Sequence, residues 1–198
     1  SYVLCLSKLV NQYNIKYQYY LMNFKIFKYK NVNSTNDIAI KLIKKKNIKI
    51  GMVVSEKQKR GRGQRGKKWI SYKGNLFVSI FYSLEKMKYS VKELTKINGK
   101  LIIKLLAIYY KKNIKLKLPN DILINKKKIC GILQENIQKN EVNYLIVGVG
   151  LNLIKNPKIK DYQTTNLYDL TKKKINVKKI SFNLKCIYEN FLRSQKVY

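Results

Sequence analysis

The chain has 198 residues, with 43 Lys and Arg against 10 Asp and Glu, giving a formal net charge of +33, and 45% of its residues are hydrophobic. This length fits one domain with a sizeable core, and the apolar content excludes global disorder. There is no histidine, so Ser-His-Asp and Cys-His catalysis and histidine-based zinc sites are excluded.

Residues 1–21 pass from a short apolar run into the Asn/Gln/Tyr-rich Asn11 to Tyr20, just before Met22. Met22 is expected to be the natural start and residues 1–21 an extension outside the fold, leaving 22–198 as the domain. Phe24 to Lys30 alternates apolar and basic residues as a half-exposed strand does. The cluster Asn33-Ser34-Thr35-Asn36-Asp37 precedes Ile38, Ala39, Leu42 and Ile43 at helical spacing, which marks a helix start. Ser34 and Thr35 either cap that helix or turn a hydroxyl toward a ligand at its positive end. Ile50 to Ser55 is a short apolar strand, and Asn75 to Leu84 is a longer β-prone run.

Between these two strands lies Gln58 to Trp69, with three glycines (Gly61, Gly63, Gly66) and three of the chain's four arginines (Arg60, Arg62, Arg65). Glycines permit positive φ and close approach of backbone N–H groups to an anion. Guanidinium forks suit carboxylate or phosphate, and the lone tryptophan, Trp69, offers a face to a purine. The stretch is thus either a ligand-wrapping loop or a solvated basic loop.

Val91 to Lys112 reads as a long helix whose Leu94, Ile97, Leu101, Leu105 and Ile108 form a core stripe. An alternating strand from Ile114 breaks at Pro119, places Asn120 and Asp121 at the break, and resumes. That polar pair serves either a turn or a pocket. Asn125 to Lys128 turns into the strand Ile129 to Glu135, where Lys128 is locally one more member of a lysine run. Asn143 to Asn152 is a buried strand whose Gly148 and Gly150 admit a close neighbour. Thr164 to Leu170 begins a short helix and Ile180 to Leu192 forms a final amphipathic one.

Cys5, Cys130 and Cys186 form no C-x-x-C pair, so neither a disulfide framework nor a thiolate metal site is indicated, and reduced thiols in a cytoplasm fit best. No apolar run reaches the roughly 18 residues of a membrane span, and no secretory signal opens the chain. The positive charge invites a nonenzymatic polyanion-binding reading. It is nearly all Lys, however, spread over every element together with Asn, Ile and Tyr, which is a chain-wide compositional bias; no specific DNA binding is expected.

In this order the pieces resemble the biotin protein ligases, from about Asn23 to the C-terminus. Four blocks carry the resemblance: Ser34-Thr35-Asn36; Gln58 to Trp69, similar to G-R-G-x-x-G-x-x-W; Lys117 to Asp121, similar to K-W-P-N-D; and Lys128 to Leu133, similar to K-x-x-G-I-L. Gly148 to Asn152 is a weaker fifth. The related lipoate ligases share the fold, but their R-R-x-x-G-G-G and V-x-H-D signatures are absent. A lipoate or related acyl-acid ligase remains the alternative enzyme.

The resemblance implies an α/β (α+β) catalytic domain, a mixed β-sheet flanked by helices of the class II aminoacyl-tRNA synthetase-like type. It implies that ATP and Mg²⁺ activate biotin to biotinyl-5′-AMP, and that biotin passes to a lysine of the biotin carboxyl carrier domain of a carboxylase such as acetyl-CoA carboxylase. Ser34, Thr35 and Gln58 would bind the biotin head, with Gly61, Arg62 and Gly63 lining its pocket. Lys128 would contact the biotin carboxylate and the α-phosphate. Trp69 and Asn152 would lie at the adenine, Arg62 and Arg65 would close the loop over the adenylate, and Asn120 and Asp121 would border biotin and Mg-ATP. The catalytic residues implied are Lys128, Arg62 and Arg65.

Three departures stand out. Gln64 occupies a position where many members carry Arg, which implies weaker retention of the adenylate. Leu118 replaces the usual Trp, a packing change expected to alter pocket volume. The sequence stops at Tyr198, where the family continues into a small β-barrel domain, so either that domain is expected to be absent or the sequence is a fragment. Its loss bears more on carrier recognition than on adenylation.

Overall fold

The computed structural model describes residues 24–195, so the extension expected over 1–21 lies outside the described residues. Strands β1 (Lys25–Val32), β2 (Ile50–Gln58), β3 (Leu76–Ser83), β4 (Ile114–Lys117), β5 (Asp121–Ile124), β6 (Lys127–Lys139) and β7 (Val142–Leu151) form one sheet in the order β1-β2-β3-β7-β6-β5-β4. Only β1 and β2 run parallel, joined by helix α1 (Thr35–Lys46). Helices α2 (Val91–Ala107), α3 (Leu167–Thr171) and α4 (Val177–Ser194) complete the expected mixed sheet flanked by helices.

Period-two alternation sorts the side chains between the two faces. Leu76, Val78, Ile80 and Tyr82 of β3 join Leu94, Ile102 and Leu105 of α2 and Leu184 and Tyr188 of α4 in the larger core. On the opposite face Phe81, Tyr144 and Ile146 pack under Ala39, Leu42 and Ile43 of α1. Burying each such Leu or Ile contributes about 1.5–3 kcal/mol.

Helix α2 opens on a reciprocal capping box between Ser90 and Glu93. It ends at Ala107 rather than at Lys112, because the apolar stripe runs out: Ile108 is 55% exposed. The chain then turns through left-handed Asn113 (φ 51°). It returns as β4, whose Leu116 fits against Gly99, where a Cβ would lie 2.7 Å from Leu116 Cδ1. β4 and β5 are not one interrupted strand but an antiparallel hairpin that turns through Leu118, Pro119 and Asn120. Leu118 is 53% exposed and does not line the cleft described below.

Asn75, 1% exposed, fastens the chain that leaves β7. Its Oδ1 accepts from Leu153 N, Ile154 N and Lys155 N at 3.0, 3.1 and 3.3 Å, and its Nδ2 donates to Lys155 O at 2.6 Å. Asn75→Ala leaves these backbone groups without their partner and should cost about 2–4 kcal/mol, lowering Tm by roughly 5–10 °C in a chain of this size. Thermal unfolding measures it, and an unchanged Tm would remove Asn75 as the fastener.

Candidate active site

On the α1 side of the sheet, side chains disappear where a cleft of about 320 Å³ opens. Two rows of paired residues cross the strands beneath it, and their glycines, with Asp121 and Leu133, form its floor. One runs Phe77, Gly150, Gly131, Asp121 over β3, β7, β6 and β5; the other runs Ser79, Gly148, Leu133 over β3, β7 and β6. The glycines are where bulk must be missing. A Cβ on Gly150 would lie 2.3 Å from Trp69 Cε2, one on Gly131 2.6 Å from Trp69 Cζ3, and one on Gly148 2.5 Å from Asn36 Oδ1. The indole of Trp69 therefore rests directly on the backbone of β6 and β7.

The Gln58 to Trp69 stretch is a small hairpin rather than an open loop. Gly63 N donates to Lys67 O at 2.6 Å and Trp69 N to Gly61 O at 2.9 Å, and Arg62 bridges Lys68. Its tip is the tight turn Gln64–Gly66, where Arg65 (φ 54°) and Gly66 (φ 74°) are left-handed. Gly61 is buried beneath the hairpin and does not line the cleft; a Cβ there would meet Trp69 O at 2.7 Å. Gly63, Arg62, Gln64 and Arg65 do line it. Arg62 Nη1 pairs with Asp37 Oδ1, and Nη2 lies 3.0 and 2.9 Å from the two Glu135 oxygens. Partial burial would lower the guanidinium pKa, but hydrogen bonds to Asp37 and Glu135 and their charges raise it above its ordinary value.

Lys128 reaches the cleft through a β-bulge. The pairing of β5 with β6 steps from Ile122–Cys130 to Leu123–Lys128, so Ile129 is the extra residue. Plain alternation would put Lys128 on the core face with Cys130 and Ile132, and the bulge turns it over. Its Nζ lies 2.8 Å from Asp121 Oδ1, 5.6 Å from the Trp69 ring centroid and 5.1 Å from that of Tyr162. Residues beside Tyr162 hold its backbone, with Lys128 N donating to Gln163 O at 2.8 Å and Thr165 N to Lys128 O at 2.9 Å. Neighbouring Cys130 is no nucleophile: it is fully buried, and burial pushes its thiol far up, outweighing the pull of Lys128.

The other end of the cleft is neutral and polar. Ser34 is the N-cap residue of α1, yet its side chain makes no capping bond. Gln58 Oε1 accepts from Thr35 N at 2.8 Å. Ser34, Thr35, Asn36 and Gln58 all line the cleft, and the positive end of α1 points at it. Asn120 and Asp121 line it as well, Asn120 with its carbonyl tied to Ile132 N at 2.8 Å. Asn152 is 2% exposed and lies below rather than along the cleft, its Nδ2 donating to Thr165 O at 3.0 Å.

The model of the biotin/lipoate A/B protein ligase family matches residues 29–152, which is more than half of the chain. The chain belongs to this family. The bifunctional ligase/repressor BirA of Escherichia coli is 30% identical over 125 residues, covering 62% of this chain and 38% of that relative; the chain thus matches well under half of that protein's length. The biotin protein ligase of Leishmania major in complex with biotinyl-5-AMP superposes with a TM-score of 0.76 at 26% identity, over 86% of this chain and 75% of that one. The Aquifex aeolicus biotin protein ligase in complex with biotin and ATP gives a TM-score of 0.73 at 25% identity, over 88% and 73%.

The fold is therefore the class II synthetase-like one of the biotin/lipoate ligases. In this family member the cleft gathers all but two of the residues to which the resemblance assigned a binding or catalytic role, Gly61 and Asn152 being the exceptions. Sequence reasoning missed Ser79, Glu135 and Tyr162. Ser79 left a signal, a serine in the middle of the apolar run Leu76–Phe81 of β3, and it is fully buried. Tyr162 left none, since its contact with Lys128 joins segments far apart in the chain.

Proposed function

We propose that this protein is a biotin protein ligase, activating biotin with ATP and passing it to a lysine of a carboxylase's biotin carboxyl carrier domain. The observation that carries the reading is Lys128, whose ammonium sits beside Asp121 in one cleft with the polar Thr35–Gln58 end and the Trp69 indole. A biotin head fits the neutral polar end, and adenine fits Trp69. A carboxylate oxygen of biotin attacks the α-phosphorus of ATP, forming a P–O bond as the α–β P–O bond breaks and pyrophosphate leaves with the electron pair. Lys128 offsets the charge that develops there. A lysine amine of the carrier then attacks the anhydride carbonyl, the new amide forms, the C–O bond to AMP breaks, and the proton goes to solvent. Positioning and charge supply the catalysis, so a chain without histidine suffices.

Among the described residues no group of three His, Cys, Asp or Glu could hold a metal ion. The donor set fits magnesium arriving with ATP, held chiefly by the phosphates, with Asp121 the carboxylate lining the cleft. Bound there, the ion would neutralise phosphate charge, while Lys128 holds the reacting oxygens. No described helix is long and apolar enough to cross a membrane. We place the activity in the cytoplasm, where ATP and carboxylases meet.

Biotin-dependent ATP–pyrophosphate exchange tests the reading, with lipoate as the competing acid. Exchange with biotin supports it; exchange with lipoate alone, or steep salt-dependent DNA binding without exchange, overturns it. Gln64 lines the cleft at the tip of the hairpin. Gln64→Arg adds a cation near the adenylate phosphate and should slow release of biotinyl-5′-AMP by about tenfold. Equal release rates, followed by filter binding, would exclude this role for the position.

A further inference from the structure

Behind the polar end of the cleft a hydrogen-bonded chain runs from the partly exposed Glu135 carboxylate to Thr35, which lines the cleft. Glu135 Oε2 accepts from Asn36 Nδ2, and Asn36 Oδ1 in turn contacts Ser79 Oγ. Ser79 Oγ lies 2.7 Å from Thr35 Oγ1. Asn36 is 2% exposed, Thr35 3% and Ser79 0%, while Glu135 and Ser79 do not line the cleft. Gly148 makes the arrangement possible, since a Cβ there would lie 2.5 Å from Asn36 Oδ1.

The direction of the hydrogens follows from donor and acceptor inventory. A carboxylate only accepts, so Asn36 turns its amide nitrogen to Glu135 and its carbonyl to Ser79. The carbonyl cannot donate, so the single Ser79 hydrogen goes to it. The Ser79–Thr35 contact must then take its hydrogen from Thr35. Thr35 Oγ1 also lies 3.1 Å from Gln58 Oε1, itself fixed as an acceptor by Thr35 N, so the Thr35 hydrogen stays inside the protein whichever oxygen takes it. Thr35 faces the cleft as an acceptor. When the Thr35 hydrogen goes to Ser79, the shorter of the two contacts, every hydrogen points toward the carboxylate, and each bond polarises the next and makes the Thr35 oxygen more basic.

We infer that Glu135 is a positioning residue which, through Asn36 and Ser79, sets Thr35 as an acceptor for a ligand N–H, selecting a cyclic urea head over one without N–H donors. The inference rests on the proposed biotin reading. Glu135 also holds Arg62, which makes it the junction between the hairpin and the head pocket. Asp37 shares only the Arg62 role and so serves as the control.

Calorimetric titration with biotin of the full chain and of single and double variants tests it, with thermal unfolding to confirm folding. Glu135→Ala should weaken binding about tenfold, Ser79→Ala by a similar factor, and the two together by little more than either, since both break one chain. Glu135→Gln keeps a carbonyl for Asn36 and should recover most of the loss. Asp37→Ala should change binding less than Glu135→Ala. Additive losses from Glu135→Ala and Ser79→Ala, no recovery in Glu135→Gln, or an Asp37→Ala loss equal to that of Glu135→Ala would overturn the inference while the biotin reading stands. A wild-type chain that binds no biotin would overturn both.

Discussion

Lys128→Ala should lower biotin-dependent ATP–pyrophosphate exchange by about 10²–10³-fold, the range seen when one charge-stabilising donor is removed from a reacting centre. The effect has two parts. In the proposed reaction the ammonium that would face the carboxylate and α-phosphate is lost, and Asp121, which it paired at 2.8 Å, would remain as a negative charge beside two anionic substrates. The fold should survive. The β6 backbone at this position is held by Gln163 and Thr165 through main-chain bonds that alanine keeps, and circular dichroism and Tm verify it. Lys128→Arg restores the charge but not the compact ammonium between Trp69 and Tyr162, so it should recover only part of the rate. Exchange by Lys128→Ala at the wild-type rate would take the lysine out of the chemistry.

The second large effect is expected from a single methyl group. Gly150→Ala would place a Cβ 2.3 Å from Trp69 Cε2 and 2.6 Å from both Cζ2 and Nε1. These are atoms of a rigid ring, so the indole must lift from the floor. The strand itself accepts alanine, because Gly150 is extended within β7 and is not among the positive-φ residues. Stacking of a base on an aromatic side chain is worth about 1–3 kcal/mol, so the KM for ATP should rise roughly 10–100-fold. Biotin binding should change less, since the Thr35–Gln58 end lies on other strands and helices. Exchange kinetics against ATP, with calorimetry for biotin, separate the two; an unchanged KM for ATP would mean that Trp69 is not the adenine platform.

Much of this site can be read in the sequence because its chemistry is concentrated in short runs. The Gly/Arg hairpin, Pro119-Asn120-Asp121 and the lysine before Ile129 each combine residue types that a solvated loop does not need. What stayed hidden is non-local. A bulge at Ile129 turns Lys128 over, and alternation alone would have buried it with Cys130. Ser34 looks like a helix cap because caps and ligand-facing hydroxyls share one local pattern, and only the absence of a capping bond separates them. Gly61 and Asn152 sit within promising motifs but serve the layer beneath, one letting Trp69 cross and the other holding Thr165. Helix α2 stops short of Lys112 because Ile108, next on its apolar stripe, finds no surface to cover. Glu135 gave no signal at all, since its partners lie 73 and 99 residues away.

The glycine floor also divides the site in time. Gly131 and Gly150 face each other across β6 and β7, which lie inside the sheet with β5 and β3 on their outer sides. Their amides can exchange with solvent only when the centre of the sheet comes apart, which is the rarest opening the molecule undergoes. The hairpin above is held by a few main-chain bonds and by the partly exposed Arg62 pairs, so it can swing away by local opening alone. Ligand entry and release then cost a fraction of the global stability, and the surface that registers the substrates stays folded throughout.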